Sequence, residues 1–141
     1  GGTWRRSIYV IQRRTQPVTI LGSFDRPQMN PNCVQRSNSN VAPQALYLLN
    51  NKMVHDLAVS FAGRVQREAG SDRQAQVGHA FLLALGRPPD PEEEELSARY
   101  LEELVKQWEK EQPDKKEEAS QRALENFCHA VMNLAAFIYI D

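Results

Sequence analysis

From Leu46 to Ile138, apolar residues recur every three or four positions, and Gly and Pro cut that recurrence into four lengths. Each length reads as a helix with one apolar face. Such faces are stable in water only when they are buried against one another. The first length carries Leu46, Leu49, Met53, Leu57, Phe61 and Val65 as its stripe. It starts near Asn40 or Ala42, because Asn caps helices well and Pro43 is tolerated in a first turn whose N–H groups have no helical partner. Gly70 is placed to end it. Ser71 or Asp72 then caps a second helix bearing Val77, Ala80, Phe81, Ala84 and Leu85, which Gly86 and Pro88-Pro89 stop.

Asp90-Pro91-Glu92 opens a third helix, with Asp at the cap, Pro at the first helical position and glutamates at the positive end of the macrodipole. Its stripe is Leu96, Tyr100, Leu104 and Trp108. A charged connection around Pro113 leads to a fourth helix, which starts near Asp114 and buries Leu124, Phe127, Val131, Leu134 and Ile138. The apolar end, Ile138-Tyr139-Ile140, is expected to dock. The fold expected is all-α: a bundle or array of about four helices.

The first forty residues follow different rules. Ile8-Tyr9-Val10-Ile11 is a β-branched and aromatic run that suits one short extended segment. Pro17, Gly22, Pro27 and Pro31 then interrupt regular structure repeatedly. A connection of that length persists in a compact domain when it is pinned to the body, and Ile20, Leu21 and Phe24 could pin it. The expected organisation is one domain over 1–141, with 1–40 as an irregular wrap packed on helices from 41–141. The start, Gly1-Gly2-Thr3-Trp4, lacks both Met and the apolar stretch of a signal peptide, so the chain is expected to be the C-terminal fragment of a longer polypeptide. No apolar run reaches the roughly 20 residues that span a bilayer.

The wrap is also basic. Residues 1–40 hold six Arg and one Asp, for a charge of +5, whereas 41–141 hold eleven Lys or Arg and seventeen acids, for −6. Either the arginines present a surface to an anionic polymer, or acids and carbonyls of the helical part neutralise them. An overall pI near 6.4 favours the second account over a nucleic-acid module. In an extended segment Arg6 and Arg14 share one face and Arg5 and Arg13 the other, with Tyr9 among them. Guanidinium groups fork onto carboxylate or phosphate, and an interleaved ring suits a base or sugar. Alternatively, Arg13, Arg14 or Arg36 bonds Asp25 and loop carbonyls.

Residue chemistry offers little else. His55, His79 and His129 sit on separate predicted helices without metal-ligand spacing, and there is no Cys-x-x-Cys or haem-attachment motif. No serine lies in a nucleophile elbow. The glutamates of 92–95 and 102–103 read as a solvated face, since general acids need burial to shift their pKa. No cofactor is expected in this chain. Arg87, between Gly86 and Pro88, reads as a donor to helix C-terminal carbonyls. Cys33 and Cys128 could pair, tying wrap to last helix; two buried free thiols are the plainer account.

Several phrases, in order, resemble a known family: Arg5-Arg6-Ser7-Ile8-Tyr9-Val10, Arg13-Arg14-Thr15, Phe24-Asp25-Arg26-Pro27, Asn40-Val41-Ala42-Pro43-Gln44-Ala45-Leu46-Tyr47-Leu48-Leu49-Asn50-Asn51, Ala84-Leu85-Gly86-Arg87-Pro88-Pro89 and Phe137-Ile138-Tyr139-Ile140-Asp141. Together they are similar to the planctomycete-type C-terminal domain of unknown function, family 1553. The resemblance implies a place at the end of large exported, periplasmic or cell-surface proteins, often behind a cytochrome-c-like segment. It implies no assigned activity. It makes Arg13, Arg14, Phe24, Asp25, Asn40, Gln44 and Asn50 candidates for a shared site, or for the residues that hold the wrap to the first helix.

The functional expectation is a non-catalytic interaction or assembly module of a multidomain exported protein, whose partners are upstream domains of the same polypeptide. Two alternatives stand beside it. One is an anion-binding surface for polysaccharide or nucleic acid on Arg5, Arg6, Tyr9, Arg13 and Arg14. The other is part of an enzyme site, using Asp25 and the arginines, Arg13 or Arg36 among them, completed by upstream domains.

Overall fold

The structure is a computed structural model that describes residues 41–138. The chain divides into two units between Tyr47 and Leu48. The extended segment at 8–11, the wrap, Cys33 and the tail at 139–141 lie outside the described residues.

Among the described residues there are six α-helices and no strand: α1 (Val41–Asn50), α2 (Lys52–Ala69), α3 (Arg73–Leu85), α4 (Pro91–Glu111), α5 (Lys116–Val131) and α6 (Ala135–Ile138). A 3₁₀ turn, Pro113–Lys115, joins α4 to α5. The all-α expectation holds, with two of the four expected helices divided. Asn51 splits the first. Its backbone is extended and its side chain accepts the N–H of Met53 at 2.9 Å, so it caps α2 where a continuous helix was expected. The last is split by the turn at 132–134, which ends α5 at Val131.

The expected stops and starts stand where capping chemistry puts them. Gly70, at φ 71°, follows α2, and the Asp72 carboxylate accepts the Gln74 N–H to start α3. Gly86 closes α3 in the left-handed conformation, at φ 70° and ψ 9°, which costs a residue with a Cβ about 1–2 kcal/mol. Asp90 and Glu93 form a reciprocal capping box at the head of α4, with Pro91 in its first turn.

One core joins α2 to α5. Ala62 and Val65 of α2, Val77, Ala80 and Phe81 of α3, and Leu101 and Val105 of α4 meet α5. That last helix supplies six of the thirteen residues: Ala119, Ala123, Leu124, Phe127, Cys128 and Val131. Val54 and Ala58 extend the buried face of α2 towards its start.

The inward faces differ from the expected stripes in three places. On α2 the buried positions are Val54, Ala58, Ala62 and Val65, while Met53 is exposed and Leu57 and Phe61 are half-buried. Leu46 and Leu49 on α1 are exposed as well. Small side chains win the inward face because alanines at Ala58 and Ala62, with Ala119 and Ala123 on α5, let two helix axes approach closely. On α4 the core takes Leu101 and Val105, leaving Leu96 54% and Tyr100 42% exposed. At the end of the chain Leu134, expected in the core, is also exposed, because the helix that would have carried it inward has already ended.

Candidate functional site

Five of the displaced apolar residues, Leu57, Phe61, Leu96, Tyr100 and Leu134, line two open grooves. The first, about 220 Å³, lies between α2, α3 and the chain beyond α5; Leu57, Phe61, Leu83, Ala84, Met132 and Phe137 line it. No polar side chain is among them. The second, about 260 Å³, runs between α4 and α5, where Leu96 and Tyr100 face Phe127, Val131 and Leu134. Its rim carries Glu93 and Ser97. Each groove exists because the inward register of the helices leaves larger side chains at the edge of the core. Water therefore meets apolar surface on a body whose other faces are strongly charged, and burying such surface is worth about 25 cal/mol per Å².

Beside the second groove sits a polar clamp built on Arg87 and Glu93. Arg87 forks onto Glu93, Nη1 donating to Oε2 at 2.7 Å and Nη2 to Oε1 at 2.8 Å. The Asp90 N–H donates to the same Oε2 at 2.9 Å, and the Glu93 N–H donates to Asp90 Oδ1 at 2.8 Å. The Arg87 hydrogen bonds, then that of the Asp90 backbone, hold the Glu93 carboxyl down at about 2. Arg87 thus serves the head of α4 and the Pro88 carbonyl, at 3.1 Å, rather than the carbonyls at the end of α3 as expected. The α3–α4 corner is clamped by this fork.

The histidines serve helix–helix joints. His129 donates from Nε2 to the Leu48 carbonyl, 3.1 Å away, one of the last-turn carbonyls of α1 that has no helical partner. The His55 ring meets the His129 ring edge-on, centroids 5.6 Å apart. His79 Nε2 lies 2.6 Å from Glu68 Oε2, joining α3 to α2, and Arg64 Nε donates to the other Glu68 oxygen at 2.8 Å. Those two partners, Arg64 before His79, hold the Glu68 carboxyl below its usual range. Among the described residues no three metal-ligating side chains converge. Cys128 is a free, fully buried thiol, pushed up to about 12 by burial and then by the nearby Glu125 charge.

Of the residues singled out from sequence, Arg5, Arg6, Tyr9, Arg13, Arg14, Phe24, Asp25, Arg36 and Asn40 lie outside the described residues. Gln44 is buried on α1, and Asn50 is the exposed last residue of that helix. The groove residues Leu83, Met132 and Phe137 were not expected in a site. One signal was available: Leu82 and Leu83 make α3 apolar around more of its circumference than one buried stripe needs.

The family described as PSD1, protein of unknown function (DUF1553), matches residues 1–101. The match ends within α4, so α5 and the closing Phe137-Ile138-Tyr139-Ile140-Asp141 phrase lie beyond it. Comparison with curated proteins and with solved structures finds no match. Among the described residues no helix is long and apolar enough to cross a membrane.

Proposed function

We propose that this chain, which belongs to the PSD1 family of unknown function, is a non-catalytic interaction module that docks other protein surface through the two apolar grooves of its helical body. The observation that carries this reading is the first groove. Leu57, Phe61, Leu83, Ala84, Met132 and Phe137 leave an apolar trough open to solvent beside a complete core. An exposed apolar patch with a charged surround is characteristic of surfaces that bind protein.

The ionic groups nearby support a scaffolding role. Glu93, Glu68 and His79 are engaged in corner and inter-helix contacts, so they hold shape instead of presenting a nucleophile or base. The family resemblance adds the setting: the end of a multidomain exported bacterial protein, with upstream domains as the docking partner.

Hydrogen exchange tests the reading on the whole polypeptide that contains this segment, compared with the segment alone. Amides of Leu83 and Ala84, and those from Leu96 to Tyr100, should exchange several-fold more slowly in the whole protein. Phe61→Lys should abolish that protection at the first groove while leaving the helical circular dichroism unchanged. Equal exchange in both forms, together with no self-association of the segment by sedimentation, would refute docking through these grooves.

A further inference from the structure

A third hollow differs from the grooves in its chemistry. It measures about 160 Å³, lies among α2, α3, α4 and α5, and is floored by Leu101, Val105 and Leu124. Its walls are hydroxyls and amides, with Arg73 as the one charged side chain. Cavities of roughly 150 Å³ hold a ring the size of benzene, so a ligand of about six to eight non-hydrogen atoms fits.

Two amides in the wall are committed at one end only. Gln76 is 92% buried, being 8% exposed, and its Nε2 donates to the Gly70 carbonyl at 2.6 Å. A carbonyl can only accept, so this bond fixes the amide's orientation and leaves Oε1 as the free end. No other hydrogen bond of Gln76 occurs among the described residues. Gln121, an exposed residue at the rim, has the same hydrogen-bond polarity. Its Nε2 donates to Glu125 Oε1 at 3.2 Å, again leaving a carbonyl oxygen.

The complementary group is Arg73. Its ion-pair partner, Glu102 Oε1, stands 3.9 Å from Nη1, beyond hydrogen-bonding distance. The guanidinium donors make no hydrogen bond among the described residues. The hollow therefore offers the uncommitted carbonyl oxygen of the buried Gln76, that of the exposed Gln121 at its rim, a forked cationic donor and an apolar floor. Ser120 supplies a hydroxyl able to act either way.

We propose that this cavity binds a small carboxylic acid bearing a hydrogen-bond donor on the adjacent carbon, an amino or hydroxy acid. Its carboxylate takes the fork of Arg73, its ammonium or hydroxyl donates to Gln76 Oε1, and its short apolar side chain rests on Leu101, Val105 and Leu124.

The test is amide-resolved NMR titration of the full chain with three matched probes: L-valine, L-2-hydroxyisovalerate and isovalerate. Valine should bind with a dissociation constant on the order of 1 mM, as befits so few atoms. It should shift the amides of Gln76, Ser120 and Gln121, and bind about ten-fold more tightly than isovalerate, which lacks the donor. Hydroxyisovalerate matching valine would also support the proposal and would make the donor neutral. Arg73→Ala, at an exposed position, should weaken valine about ten-fold or more; Gln76→Met should erase the preference over isovalerate. If Gln76→Met does not fold, Arg73→Ala and the probe series decide the matter. No shifts with any probe, equal binding of isovalerate, or valine binding unaffected by Arg73→Ala would each overturn the assignment.

Discussion

Neutralising Glu93 should loosen the α3–α4 corner in a way that depends on pH. Its carboxylate takes both Arg87 nitrogens, at 2.7 and 2.8 Å, and the Asp90 N–H at 2.9 Å. Lowering the carboxyl from 4.5 to about 2 would correspond to about 3 kcal/mol, at about 1.4 kcal/mol for each pH unit. The side chain is 32% exposed, however, and water and salt screen such a pair, so about 1–1.5 kcal/mol is the working figure. Glu93→Gln keeps the shape and one acceptor but removes the charge. Near neutral pH it should cost about that amount in urea unfolding, or roughly 3–5 °C in melting temperature. The folded-state value lies below the unfolded one, so the contribution is complete above pH 4.5 and is lost as pH falls through about 2. Unfolding curves of the two proteins should therefore converge across that interval. A gap under about 0.3 kcal/mol near neutral pH, or one still constant at pH 2, would refute the reasoning.

Three further outcomes follow from the packing. Leu124→Ala, at a position 2% exposed where α5 meets the other helices, should cost about 2–5 kcal/mol in denaturant unfolding, without changing helix content under native conditions. Gly78→Ala, in mid-α3 with nothing within 4 Å of the added carbon, should stabilise by about 0.5–1 kcal/mol, whereas Gly86→Ala should destabilise by about 1 kcal/mol because its φ is 70°. Equal and same-signed effects would mean the capping account of Gly86 is wrong. Cys128 should resist thiol reagents at neutral pH and react only at the rate of unfolding, since burial keeps it protonated to about 12; rapid labelling of the native protein would contradict its placement.

Helix ends were the most legible part of the fold. Gly70, Gly86, Asp72 and the Asp90-Pro91 start act within one or two turns of chain, so a short window of sequence contains the whole cause. Asn51 was the exception. Its capping bond is equally local, but an apolar stripe running unbroken from Leu49 through Met53 to Leu57 concealed it. The grooves and the amino-acid-sized cavity were not legible in that way. Gln76 shares the register of Ala80 and Ala84, and a polar residue in a buried register is the one hint the sequence carried; no spacing rule connects it to Gly70, Ser120 or Gln121.

What the sequence determined by itself was an all-α chain with helix boundaries set by proline, glycine and capping carboxylates. Those effects are short-ranged and need no partner. Tertiary structure decided which side of each helix faces inward. Helical spacing marks an apolar sector wider than the line a neighbour can touch, and close approach of α2 and α5 selects alanines over larger residues within it. Leu96, Tyr100 and Phe61 were left at the edges by that choice, which is why the surface available for docking came into view only once the helices were packed.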